Sequence, residues 1–266
     1  MKKIIVLLAF SFISVAIFSQ VGGVSNGKLV TLNAGTVSEN KLEFEPSFGF
    51  ATSSNFFDAN GDVQEMYKSS DSLMKFSSMG FRMTYGLIEN LEVGLYLPVD
   101  VSEINFGAKY RLPIDGKLGL GLVAGYNSVL GNQVYDKKST VYELTPAILG
   151  GVIMSYGFSE KLSIDFDAQY RKHTQTILGG HTDAFRVSTD LGYYILNRIN
   201  LIAGLTYNQA LFEDSISNSY LLTLNTGFTV ERGENFILII NAPFDLMGKN
   251  EFRTKGFGLA LTITLD

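Results

Sequence analysis

The strongest constraint on this chain is a period of two. Leu162, Ile164, Phe166, Ala168 and Tyr170 alternate with Ser163, Asp165, Asp167, Gln169 and Arg171. Phe185, Val187, Thr189, Leu191 and Tyr193 alternate with Arg186, Ser188, Asp190 and Gly192. The same holds for Ile104, Phe106, Ala108, Tyr110 and Leu112 against Asn105, Gly107, Lys109 and Arg111, and for Phe257, Leu259, Leu261, Ile263 and Leu265 against Gly258, Ala260, Thr262 and Thr264. Successive side chains of a strand point to opposite faces, so each such segment has one apolar and one polar side. After residue 20 no segment joins an N-cap to an i, i+3, i+4 apolar stripe. The fold is expected to be all-β.

Strands are predicted over 41–52, 75–86, 91–99, 103–112, 118–127, 142–157, 161–171, 183–196, 199–209, 219–231, 235–244 and 255–265, about twelve with ends good to a few residues. Short connections at 86–90, 113–117, 158–160, 197–198 and 232–234 alternate with longer polar ones at 53–74, 128–141, 172–182, 210–218 and 245–254, apart from a tight link at 98–102. A soluble sandwich has no reason for that alternation. A transmembrane antiparallel up-and-down β-barrel does, because its short turns lie on the periplasmic side and its longer loops face outward. An even strand number also returns both ends of the barrel to one side.

Alternation alone does not say which face meets lipid. The polar faces carry Asp, Arg, Lys and Asn, and tyrosines stand near strand ends (Tyr85, Tyr110, Tyr126, Tyr156, Tyr170, Tyr207), where aromatic girdles mark the membrane interfaces. Both features favour apolar side chains outward and a polar lumen. Composition removes other classes. With no Cys, a disulfide scaffold and a thiolate metal site are excluded. A pI near 5.2 without a basic cluster argues against nucleic-acid binding. Beyond the N-terminus no apolar run approaches the roughly 18 residues of a spanning helix.

The N-terminal segment reads as an address. Met1-Lys2-Lys3 is followed by an almost wholly apolar stretch over 4–18 and by the small residue Ser19 ahead of Gln20. Residues 1–19 are expected to be a secretory signal peptide, residues 20–40 an N-terminal periplasmic arm, and 41–266 a barrel in the cell outer membrane, in contact with its lipid.

Tyr85-Gly86-Leu87-Ile88-Glu89-Asn90-Leu91-Glu92-Val93 recurs as Tyr156-Gly157-Phe158-Ser159-Glu160-Lys161-Leu162-Ser163-Ile164, a strand, a tight turn and a new strand. The first copy continues as YGLIENLEVGLYLPV and is followed by INFGAKYRL; AGTVSENKLEFEPSFGF precedes it. These words, within about residues 34–50 and 80–112, resemble the meta-pathway phenol-degradation family of outer-membrane channels. The resemblance implies a barrel of about twelve strands passing small, apolar or aromatic compounds, with no catalytic residue. The chain departs from the usual aromatic ending of outer-membrane strands, finishing Thr264-Leu265-Asp266.

Charges expected to face the lumen are Glu43, Glu45, Arg82, Glu92, Lys109, Arg111, Asp165, Asp167, Arg171, Arg186, Asp190 and Glu231. They are either a pore lining that selects solutes or a cross-strand network filling a narrow barrel. Arg82, Lys109 and Arg111 facing Glu43, Glu45 and Glu92 are the expected constriction. Asp58, Asn60 and Asp62 begin like a calcium loop, but Val63 and Ser69 stand where Gly and Glu belong, so a turn is the simpler reading. His173 and His181 are the only histidines and are expected in one solvated outer loop. Neither precedes a His-x-Ser pair of the kind barrel hydrolases use, so no enzyme and no cofactor is expected. The chain is thus read as a passive channel for a small-molecule solute. The alternative is a non-conducting barrel partnering an envelope protein or secretion complex.

Overall fold

The structure is a computed structural model that describes residues 20–67, 72–130, 145–175, 180–233 and 235–266; the signal-peptide segment 1–19 and Ser69 lie outside them. Its strands are β1 (Leu42–Phe57), β2 (Val63–Glu65), β3 (Met74–Ile88), β4 (Leu91–Pro98), β5 (Glu103–Arg111), β6 (Leu118–Val129), β7 (Ala147–Gly157), β8 (Leu162–His173), β9 (His181–Leu196), β10 (Ile199–Phe212), β11 (Ser219–Arg232), β12 (Phe236–Lys249) and β13 (Glu251–Leu265). From β3 on, each pairs antiparallel with the next, β3 pairs with β1, and β13 closes on β1 from Leu42↔Leu265 to Phe57↔Glu251. The ring therefore has twelve strands. The extra strand β2 folds back on the end of β1, with Phe57 opposite Val63. A register shift between Thr52 and Asn55 lets β1 serve both β13 and β2, and the Ser53 hydroxyl donates to Asn55 O at 2.6 Å and Arg253 O at 2.8 Å across it.

The barrel is inside-out relative to a soluble protein. Along β8 and β9 the polar residues Asp165, Asp167, Gln169, Arg186, Ser188 and Asp190 are buried, while Tyr170, Phe185, Leu191 and Tyr193 are exposed. Val152 keeps 51% of its surface and Asp167 keeps 0%. A continuous belt of exposed Phe, Leu, Ile and Val is far larger than the apolar patches of soluble monomers. Its place is the hydrocarbon of the outer membrane. Tyr85, Tyr110 and Tyr156 are exposed toward the short-turn end, and Tyr126 and Tyr170 toward the other.

Two expected loops are mostly strand. β12 and β13 run to Lys249 and from Glu251, leaving only Asn250, at φ 52°, to turn the chain within 245–254. β1, β2 and β3 likewise occupy much of 53–74. In β12 Met247 pairs with Leu222 and Asp245 with Thr223, so the extra residue Leu246 breaks the period that marks a strand, and the shift between Thr52 and Asn55 breaks it in β1.

A larger correction concerns residues 20–40. They do not form a periplasmic arm outside the barrel. Val21, Val24, Leu32 and Ala34 are 0–1% exposed and pack on Val123, Ala147, Leu149 and Ile153 of β6 and β7, and Leu29 packs on Ile202 and Ile239. The arm lies in the bore and leaves it at the short-turn end, where Asn40 N–H donates to Gly86 O at 2.8 Å. The arm's valines and leucines are its physical reason: a solvated tether would expose them, whereas the inner faces of β6 and β7 cover them.

Candidate functional site

An irregular segment enclosed by a sheet meets walls whose backbone groups are already used in the ladder. Its own N–H groups must therefore find side-chain acceptors. The lumen carboxylates supply them. Asp190 Oδ2 accepts from the N–H groups of Leu29, Val30 and Thr31 at 3.1, 3.2 and 3.1 Å. Asp167 Oδ2 accepts from Leu32 N–H at 2.9 Å and from the Ser188 hydroxyl at 2.9 Å. Glu92 accepts from Ser25 N–H at 2.7 Å, Val37 N–H at 2.7 Å and the Ser25 hydroxyl. Gln169 Oε1 accepts from Val21 N–H at 2.7 Å, and Ser155 Oγ from Ala34 N–H at 2.9 Å.

The cations hold the arm's carbonyls and balance the acids. Lys109 Nζ lies 3.1 Å from Glu92, both side chains wholly buried, and donates to Ser25 O at 2.9 Å. Lys28 of the arm pairs with Asp165 at 2.5 Å. Arg186 Nη2 donates to Val30 O at 2.6 Å. Arg82 bridges Glu45 at 2.7 Å and Glu43 at 3.1 Å, and donates to Thr84 Oγ1, which passes a hydrogen bond to Gly23 O. The Thr262 hydroxyl also donates to Glu45.

Of the expected constriction, Arg82 meets Glu43 and Glu45, and Lys109 meets Glu92. Arg111 does not join them. It is exposed at the end of β5, lining a cavity of about 310 Å³ between arm and wall with Lys28, Asn33, Lys117, Asp165 and Tyr194. Its strand reaches the rim two residues beyond Lys109, too far along for a shared cross-section. Nor is the lumen polar all round, since β6 and β7 offer the apolar wall already described.

Glycines set the clearance. A Cβ at Gly94 would lie 2.0 Å from Gly23 O, and one at Gly107 2.2 Å from Gly22 O; arm and sheet backbones touch there, and no other residue fits. Sequence reasoning missed Ser25, Lys28, Ser155 and Ser188 as anchors. The available signal was the apolar content of 20–40 together with Gly94, Gly107 and Gly125 on neighbouring strands.

The histidines are not in a solvated loop. His173 ends β8 and His181 begins β9, both turned inward, their rings stacked at 5.8 Å, with Phe212 4.1 Å from His181. The strands run on to these residues, and the ladder's alternation carries them into the bore. Thr145 Oγ1 is hydrogen-bonded to His173 Nδ1 at 2.6 Å. Asp58 caps the β1–β2 turn: its Oδ1 accepts from Asn60 N–H at 2.8 Å and Asp62 N–H at 3.0 Å, and its Oδ2 from Gln64 at 3.0 Å. The Asn60 N–H is the first of the bonds that hold this carboxyl below its ordinary pKa. Thus the residues that read as the start of a calcium loop form a side-chain-capped turn, with Asn60 and Asp62 donating backbone N–H groups. No cluster of three or more His, Cys, Asp or Glu suited to a metal occurs among the described residues.

No family model matches this chain, and no curated protein matches it in sequence. Solved structures match it in shape. The COG4313 outer membrane channel from Pseudomonas putida F1 is similar with a TM-score of 0.69 at 11% identity, over 87% of this chain and 98% of that one. The NanC porin is similar at 0.57 and 7%, over 84% and 100%. The KdgM porin, solved in complex with disordered oligogalacturonate, is similar at 0.52 and 9%, over 85% and 99%. These likenesses are of fold, and the fold they share with this chain is that of outer-membrane channels and porins.

Proposed function

We propose that this chain is a passive outer-membrane channel for small solutes, apolar or aromatic ones among them, whose bore its own N-terminal arm closes at rest. The observation that carries this reading is the nature of the occupant. Apart from an isolated bridge of Glu39 to Gly86 where it leaves the bore, the arm pairs with no strand and is held by side-chain contacts, so it can leave while the twelve strands stay paired. The likeness in fold to channels, and the resemblance of 80–112 to the phenol-degradation family, support the same reading. In it residues 1–19 are a signal peptide removed after Ser19, and the mature protein begins with Gln20.

The test is conductance in planar bilayers together with liposome swelling. Deleting residues 20–36 is expected to raise conductance severalfold, with heat-modifiable gel mobility confirming a folded barrel. A complementary variant joins A34C to G119C, positions where a new Cβ at 119 would lie 3.1 Å from Ala34 Cβ, in a chain otherwise free of Cys. Oxidation should hold the channel shut and reductant should release it. If folded barrels of both kinds pass neither ions nor solutes, the channel reading fails. The alternative, a non-conducting barrel serving an envelope complex, is favoured by one observation, the density of buried ion pairs around the arm, and that outcome would leave it standing.

A further inference from the structure

Most lumen charges are answered by the arm or by each other. Arg171 is not. It is 97% buried, 3% of its surface remaining, and its cross-strand neighbours are Leu149 and Ala184. Among the described residues its Nε meets no acceptor. Gln169, two residues away on the same face, has its oxygen committed to Val21 N–H and its nitrogen to Asp167. Glu103 is the acid whose charge reaches Arg171, but its oxygens are taken by Asn105 at 2.9 Å and Asn127 at 2.6 Å. Two residues farther along β8, the ring of His173 also has an unpartnered buried nitrogen, Nε2, its Nδ1 being bonded to Thr145.

A guanidinium out of water needs an anion or a full set of acceptors. The open Nε edge offers the parallel N–H pair that fits a carboxylate. Beside it the His173 and His181 rings stack with centroids 5.8 Å apart, and Phe212 lies tilted against His181 at 4.1 Å, an aromatic cluster suited to a flat carbon body. These residues lie toward the long-loop end, beyond the arm's contact with Gln169.

We propose that Arg171 and His173 form a binding site for small carboxylates with a flat, unsaturated body, an entry subsite of the channel. The proposal rests on the channel reading for its role as an entry subsite, but the site itself does not. The carboxylate takes the guanidinium fork and the imidazole Nε2, and the ring stack carries the skeleton.

The test uses the full mature chain in detergent micelles at pH 7.5, with benzoate as probe and benzyl alcohol as its uncharged counterpart, read by equilibrium dialysis and saturation-transfer NMR. Benzoate is expected to bind saturably and benzyl alcohol not to displace it. R171M should weaken benzoate at least tenfold, R171K less, and H173Q by a few-fold, each in protein whose heat-modifiable mobility is unchanged. Benzoate bound equally by wild type and R171M, or not bound saturably by folded protein, overturns the site. Conductance separates the two readings. Binding without conduction leaves the site and removes the channel; conduction without Arg171-dependent binding does the reverse.

Discussion

Glu92 joins three parts of the molecule at one carboxylate. It accepts from Ser25 and Val37 at two points of the arm and neutralises Lys109 on the adjacent strand. Replacing it by Gln substitutes an N–H donor for one oxygen, facing Val37 N–H or Lys109, and leaves the ammonium buried without a countercharge. Removing one member of a buried pair typically costs about 3–5 kcal/mol. The E92Q barrel is therefore expected to unfold on gels at a lower temperature and to open more often in bilayers. E92Q/K109M should recover most of the thermal loss without recovering closure, since the arm's N–H groups stay unanswered. A double variant as labile as the single one would mean that the ion pair is not the source of the effect.

At the scale of the element, the arm depends on the glycine faces beneath it. Val at 107 suits a strand and leaves the outer surface untouched, yet its Cβ would lie 2.2 Å from Gly22 O and 2.9 Å from Val21 Cγ1. G107V is expected to expel this part of the arm, raising conductance while the barrel keeps its gel mobility; unchanged conductance would show the arm able to shift aside. How far each element was legible follows from what constrained it. Asp165, Asp167, Arg186 and Asp190 were assigned to the inner face because lipid imposes period two on their strands. The ends of β12 and β13 were not legible, because the extra residue Leu246 breaks the alternation and Asp245, Lys249, Glu251 and Arg253 read as a polar loop. The arm was illegible for a deeper reason. A segment without ladder partners has no period, and the bonds that hold it, such as Leu32 N–H to Asp167, join residues 135 apart in sequence.

For the molecule as a whole, the outer belt decides where the protein can exist. Leu122, midway along β6, is 49% exposed with Lys109 and its acid enclosed behind the same wall. An arginine at the bilayer midplane of a barrel costs about 2–4 kcal/mol and little near the interface. L122R should lower the refolding midpoint into lipid vesicles by a corresponding amount, whereas I114R, in the short connection between β5 and β6, should leave it nearly unchanged. Equal effects at the two positions would contradict an inside-out barrel.

The seam between β1 and β13 carries a consequence for biogenesis. Leu42 cannot meet Leu265 until the last strand has been delivered, so a product cut short before Glu251 leaves β1 and β12 with bare edges ready to recruit strangers. Joining residues so far apart is also an intrinsically slow event. Since the stretch ahead of β1 ends up enclosed, the final stitch of assembly must also imprison it.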